Sequence, residues 1–201
     1  MIPLEQIEAR HVIFDLDGTL IDSAPAILAS FAKAFECCGR TPVIPLTQTL
    51  IGPPLMQTLA GLAGTDSPSI LEPLAEAFKT HYDQVGYRLT RAYPGINDLL
   101  ASLSHQGCTL HIATNKRILP TRLILALLDW PDWFTTVYAL DSVSPAVSTK
   151  SDLLDRLLKA QQIDPADAIY IGDRREDEEA AKATGLKFMM AVWGYQDLSN
   201  S

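Results

Sequence analysis

Apolar positions along the chain fall into two rhythms. Short, nearly continuous apolar runs stand at residues 11–14, 108–113, 136–140, 168–171 and 187–192, the lengths of strands buried on both faces. Between them apolar residues recur at helical spacing. Ile27, Leu28, Phe31, Ala34, Phe35 and Cys38 mark a helix that begins near Ser23 and tolerates Pro25 in its first turn. Further helices are expected over residues 55–62, 70–85, 96–104, 119–128, 151–160 and 177–184. Gly39 and Gly185 stand where helices stop. Residues 41–54 are proline-rich and read as loop, and residues 64–69 as a polar break.

Strands alternating with helices predict an α/β fold: a Rossmann-like parallel sheet with helices on both faces. Residues 21–88 hold helices and no convincing strand, so they read as a small α-helical cap set after the first strand. Residues 1–20 and 89–201 then form the core, a division that 201 residues can accommodate. Polar residues gather where the strands end, which is where open α/β sheets bind ligands.

Charge narrows the partners. Sixteen basic against twenty-four acidic residues leave a formal charge of −8, and no basic run offsets it, so a nucleic-acid backbone is not expected as a ligand. No apolar stretch approaches the ~20 residues that span a bilayer. The first ten residues are too short and too charged (Glu5, Glu8, Arg10) for a signal peptide, and the chain reads as cytoplasmic. Cys37, Cys38 and Cys108 lack metal-ligand spacing, and an odd count argues against a disulfide framework. The vicinal pair reads as small buried hydrophobes on a helix. His11, His81, His105 and His111 show no ligand spacing, and Trp130, Trp133 and Trp193 read as packing residues.

The chemistry lies at the strand ends. Asp15 and Asp17 leave the first apolar run one residue apart and lie on one side of the chain if it stays extended. Like charges so close gain nothing for folding, whereas a divalent cation makes them favourable. Thr114 and Asn115, Lys150, and Asp173 with Asp177 stand at later strand or helix ends. Carboxylates, a hydroxyl and an amine suit phosphoryl transfer, which needs a nucleophile, neutralisation of the equatorial oxygens and protonation of the leaving group. Oxygen donors of this kind suit magnesium. Taken singly, Thr114 could merely cap a helix, Lys150 could be a solvated lysine, and much of the acidic run 176–179 could be a solvated helix start.

Asp15-Leu16-Asp17-Gly18-Thr19-Leu20, Thr114-Asn115-Lys116, Lys150 and Gly172-Asp173-Arg174-Arg175-Glu176-Asp177 together resemble the four motifs of the haloacid dehalogenase-like phosphatase superfamily, in the branch with a helical cap. The resemblance spans nearly the whole chain. It implies that Asp15 is a nucleophile forming an aspartyl-phosphate, and that Asp17 protonates the leaving oxygen and then activates water. It implies that Thr114 and the backbone at Asn115 hold phosphate oxygens, and that Lys150 steadies both nucleophile and phosphoryl group. It assigns Mg2+ to Asp15, the carbonyl of Asp17 and Asp173, with Asp177 supporting directly or through water. It further implies a small-molecule phosphate ester as partner and a monomer or weak dimer.

Two features depart from the commoner pattern. Ser148-Thr149-Lys150 replaces the familiar Lys-Pro, and Arg174 follows Asp173 where a small or hydroxyl residue is usual. With Trp193-Gly194-Tyr195 downstream, these resemble a sub-branch described as 5′-nucleotidase-like or phosphoglycolate-phosphatase-like. Arg174 either orients Asp173 or faces solvent. Substrate choice is expected in the cap. Gly52, within Ile51-Gly52-Pro53-Pro54-Leu55, resembles a loop that dips towards the active site, though it also reads as an inter-helix turn. Lys116 is the candidate for meeting an anionic substrate. The expected function is a magnesium-dependent phosphomonoesterase acting on phosphoglycolate-like or nucleoside 5′-monophosphate substrates. A phosphomutase on the same frame and a catalytically silent binding protein are the alternatives.

Overall fold

The computed structural model describes residues 7–145 and 147–195. Its centre is β1 (His11–Phe14), flanked in parallel by β4 (Thr109–Thr114) and β6 (Ala168–Gly172). β5 (Thr136–Ala139) lies outside β4 and β7 (Lys187–Met190) outside β6, giving the order β5-β4-β1-β6-β7, parallel throughout. Phe14 registers with Ile112 on one side and Ile171 on the other, so the ends of β1, β4 and β6 share one edge.

Period-two alternation explains why the strands read as apolar runs. Val12 and Phe14 face one apolar layer with Leu99, Leu100 and Leu103 of α4 (Ile96–His105) and Ile124 of α5 (Ile118–Leu127). Ile13, Ala113 and Tyr170 face the other, against Leu153, Leu154 and Leu157 of α6 (Lys150–Gln161) and Ala180 of α7 (Arg175–Ala183). With both faces covered, neither can be polar. Each fully buried leucine contributes about 1.5–3 kcal/mol.

Between β2 (Ile21–Asp22) and β3 (Arg91–Ala92) the chain runs through α1 (Ala24–Cys37), α2 (Leu55–Ala63) and α3 (Pro68–Gln84). Phe31 of α1 meets Phe78 of α3 at 4.5 Å between ring centroids, and Phe78 stacks on Tyr82 at 5.5 Å. Such aromatic pairs bind the helices to one another.

Several expectations need correction. Residues 21–88 do contain a strand: Ile21 and Asp22 pair antiparallel with Ala92 and Arg91, closing the insertion at its neck. Two residues per strand carry no readable alternation, and the partners are far apart in sequence. Short 3-10 turns occupy Gln48–Leu50 and Gly86–Leu89. Ser69 belongs to α3 rather than to the preceding break, because Ser67 and Pro68 take the cap and first helical positions. Cys37 is exposed and Cys38 half-buried, since α1 ends there and its buried residues all precede them. Among the described residues no helix is long and apolar enough to cross a membrane.

Candidate active site

β1 stops at Phe14, and the chain then closes on itself: the carbonyl of Leu16 accepts from the backbone N–H groups of Thr19, Leu20 and Ile21. Gly18 takes φ +85° in this turn, a region that favours glycine. The chain turns over residues 16–21, and the Asp15 and Asp17 carboxylates take different partners. Asp15, buried, accepts a hydrogen bond from Lys150 Nζ at 2.8 Å. The Asp17 carboxylate accepts from Lys116 Nζ at 3.0 and 3.1 Å and from the hydroxyl of Ser23.

Asp173, at the end of β6, and Asp177, in the first turn of α7, are buried beside Asp15, with one carboxylate oxygen of each within 4.8 Å of the others. Asp177 is held twice. Its Oδ2 accepts from the backbone N–H of Arg174, capping α7, and its Oδ1 accepts from the Tyr170 hydroxyl at 3.0 Å and lies 3.1 Å from Lys150 Nζ. Asp173 accepts from the backbone N–H of Tyr195 at 2.8 Å and from the Thr19 hydroxyl at 3.4 Å.

Glycines make room for this cluster. A Cβ on Gly18 would lie 2.3 Å from Asp173 Oδ2, and one on Gly194 2.3 Å from the Asp173 Cβ. One on Gly172 would lie 2.5 Å from Asp177. Burial pushes the Asp15 carboxyl up to about 7; Lys150 opposes that shift, while Asp177 and Asp173 add to it. Burial likewise raises Asp173 to about 6, against the hydrogen bond from Tyr195. Lys150 is held well above the ordinary lysine value, because Asp15 and Asp177 outweigh the burial that opposes its charge. Three buried carboxylates around one ammonium leave an excess of negative charge that a divalent cation neutralises, so the donor set fits a hard, oxygen-preferring metal.

Thr114 is buried at the end of β4, and its hydroxyl accepts from the backbone N–H of Lys116, bending the chain before α5. It does not cap that helix, whose cap position is Arg117. Asn115 Nδ2 donates to the carbonyl of Gly52 at 3.2 Å and to Glu176 at 3.3 Å, tying the insertion to the core. Gly52 takes φ +116°, and a Cβ there would lie 2.5 Å from Arg174 Nε, so the guanidinium packs under this loop. Lys116, the candidate for meeting an anionic substrate, places its ammonium on Asp17, 4.6 Å above the Tyr82 ring, and lines the cleft beside them. Burial opposes its charge, Asp17 more than offsets that, and the lysine is held protonated.

Three contributors were not singled out from sequence. Tyr170 bridges Asp177, Lys150 and the carbonyl of Ala113. Tyr195 accepts from the backbone N–H groups of Ser23 and Ala24 and donates to Asp22. Ser23 buttresses Asp17. A hydroxyl inside an otherwise apolar strand run is the signal for Tyr170, and Trp193-Gly194-Tyr195 brings in Tyr195 by resemblance without giving it a role.

A family model described as haloacid dehalogenase-like hydrolase matches residues 12–191. A phosphoglycolate phosphatase of Xylella fastidiosa is 30% identical over 205 residues, covering 97% of this chain and 87% of that protein. The tyrosine-protein kinase PtkA of Mycobacterium tuberculosis is 33% identical over 185 residues, covering 92% of this chain and 62% of that protein. A solved haloacid dehalogenase-like family hydrolase from Streptococcus pneumoniae superposes with a TM-score of 0.83 at 28% identity, covering 96% of this chain and 89% of that one.

Proposed function

The chain belongs to the haloacid dehalogenase-like hydrolases and is a phosphatase of that family, and from this premise we propose that it hydrolyses a small phosphate monoester through a phosphoryl group carried on Asp15. The observation that carries the reading is Lys150 Nζ, buried at 2.8 Å from Asp15 and 3.1 Å from Asp177, at the shared edge of β1, β4 and β6.

In the first half-reaction Asp15 attacks phosphorus, and the ester oxygen leaves with a proton given by Asp17. In the second, Asp17 takes a proton from water, which attacks phosphorus and frees Asp15 with release of inorganic phosphate. Using one carboxyl as acid and then as base follows from the symmetry of the two steps. Lys150 offsets the charge that builds on the phosphoryl oxygens, and the Thr114 hydroxyl with the backbone N–H of Asn115 donates to them. For Asp17 to reach the leaving oxygen, the Lys116 and Ser23 contacts must loosen, which links proton transfer to the approach of the cap over residues 21–88. Asp15, Asp173 and Asp177 would hold Mg2+, with the carbonyl of Asp17. Magnesium supplies there the positive charge that keeps clustered carboxylates ionised and draws electron density from the phosphoryl oxygens.

Relatives named phosphoglycolate phosphatase supply the first compound to assay. Asp15→Asn is expected to reduce magnesium-dependent phosphate release to background, with circular dichroism and melting still those of a folded protein. Turnover retained in that variant would remove Asp15 from the nucleophile's role. Release of inorganic phosphate from a single substrate, with no bisphosphate formed, separates hydrolysis from phosphoryl return to substrate.

A further inference from the structure

Trp193, Gly194 and Tyr195 follow β7 and lie against the turn that leaves β1. Trp193 Nε1 donates to the carbonyl of Thr19 at 3.0 Å. A Cβ on Gly194 would lie 2.3 Å from the carbonyl oxygen of Gly18, so the two segments meet backbone to backbone. Tyr195 reaches furthest. Its buried hydroxyl accepts from the backbone N–H groups of Ser23 at 2.7 Å and Ala24 at 2.9 Å, and donates to Asp22 Oδ1 at 2.8 Å. Ala24 N–H also meets Asp22 Oδ1 at 3.1 Å, so it is Ser23 that depends on the tyrosine. The side chain of Ser23 is buried too, and its hydroxyl donates to Asp17 Oδ1.

Lys116 holds the same carboxylate, at 3.0 Å from Oδ1 and 3.1 Å from Oδ2. The two partners differ in what they allow an acid to do. An ammonium has only donors and here spans both oxygens, so its contact with one of them ends when that oxygen carries a proton. The Ser23 hydroxyl needs only Oδ1 and keeps it in either state, which leaves Oδ2 to carry the proton. We infer that Tyr195 is a positioning residue for the proton donor: through the backbone of Ser23 it sets where Asp17 Oδ2 lies relative to the leaving oxygen. The inference rests on the proposed function above and adds to it a residue from beyond β7. Without the Tyr195 hydroxyl a buried N–H is left unmet, a cost that backbone movement at Ser23 relieves. Misplacing a reacting group by about 1 Å costs on the order of a hundredfold in rate.

The leaving group separates proton donation from the other chemistry. An alkyl phosphate releases its alcohol as the Asp17 O–H bond breaks: the proton passes to the ester oxygen, which keeps the electrons of the broken P–O bond. p-Nitrophenyl phosphate releases p-nitrophenolate, which needs no proton. kcat/KM runs from free enzyme and ester to the transition state, so it reports departure of the leaving group and not the later hydrolysis at Asp15. Tyr195→Phe loses the hydroxyl and keeps the backbone N–H on Asp173. The alkyl ester is whichever of 2-phosphoglycolate, uridine 5′-monophosphate and propyl phosphate the parent cleaves fastest. With magnesium, kcat/KM is expected to fall by at least about tenfold for that ester and by less than about threefold for p-nitrophenyl phosphate. Equal losses with both esters, as a merely structural role would give, or no loss with either, overturn the inference and leave the phosphatase reading standing. Ser23→Ala cuts the same path one link nearer the acid and is expected to show the same selective loss. Its absence overturns the inference even where Tyr195→Phe does not fold. Combining the two substitutions should cost no more than about threefold beyond the worse single one, since both act on one path, and losses that multiply overturn it. A parent that releases phosphate from none of the three alkyl esters overturns the proposed function, and the inference with it.

Discussion

Asp15 and Asp17 are two positions apart, yet their carboxylates answer to different lysines. Lys150 meets Asp15 inside the acidic cluster, and Lys116 meets Asp17 under the helical insertion. Taking an ammonium out of water costs several kcal/mol, and Lys150 is tolerable because Asp15, Asp177 and the Tyr170 hydroxyl surround it. Thr114 is the residue whose role is most open to measurement. Thr114→Ala is expected to lower kcat by roughly a hundred- to a thousandfold, the usual cost of losing one transition-state donor. Thr114→Ser should restore most of the rate, since it keeps the hydroxyl that also accepts from Lys116. A loss of less than about tenfold in the alanine variant would leave Thr114 with a purely local role in the turn.

At the scale of elements, what the sequence makes legible is whatever has a period. The strands and helices of the core fall within a residue or two of their expected bounds, because two buried faces demand continuous apolar runs and one buried face demands helical spacing. The ribbon of β2 and β3 has no period to read, and its existence depends on a pairing across the whole insertion. The same distance hides Tyr195. It lies past β7, yet its hydroxyl gathers the N–H groups of Ser23 and Ala24 and the Asp22 carboxylate, while its backbone N–H holds Asp173. The start of α1, whose cap residue Ser23 makes no side-chain cap bond of its own, is thus tied to the acidic cluster. Tyr195→Phe removes that hydroxyl and leaves the buried Ser23 N–H unmet, while Ala24 N–H keeps Asp22 Oδ1 at 3.1 Å, so urea unfolding should show a loss of about 1–3 kcal/mol. A variant as stable as the parent would show that these donors find other partners.

For the molecule as a whole, the strand order is what turns scattered residues into a site. β1 lies between β4 and β6, so residues near 15, 114 and 173 reach one edge, and α6 carries Lys150 to the same place. The motif order foretells these four segments; the partners of Asp17 follow from how the insertion settles on the core, which no local pattern encodes. The sheet also brings together two histidines left unassigned from sequence. His11 Nδ1 and His111 Nε2 are 3.2 Å apart, and His111 Nδ1 meets the Thr136 hydroxyl at 2.7 Å. Burial, then the neighbouring His11, lowers the His111 pKa to about 4, so the native state takes up this proton later than the unfolded chain, near 6.5. Its effect on stability is absent above about pH 6.5, grows as a loss on acidification, and levels off below about pH 4 at roughly 3 kcal/mol. Urea melts of the parent and of His111→Gln across that window should diverge by this amount, and parallel curves would exclude the histidine. Catalysis, however, turns on which atom first bonds to phosphorus. Acid-quenching the Asp17→Asn variant with magnesium and p-nitrophenyl phosphate, whose leaving group departs without a proton, reducing any acyl phosphate with borohydride and mapping the peptides by mass spectrometry tests this directly. The account predicts homoserine at position 15 in place of Asp15; an unmodified Asp15, or reduction at any other carboxyl, would contradict it.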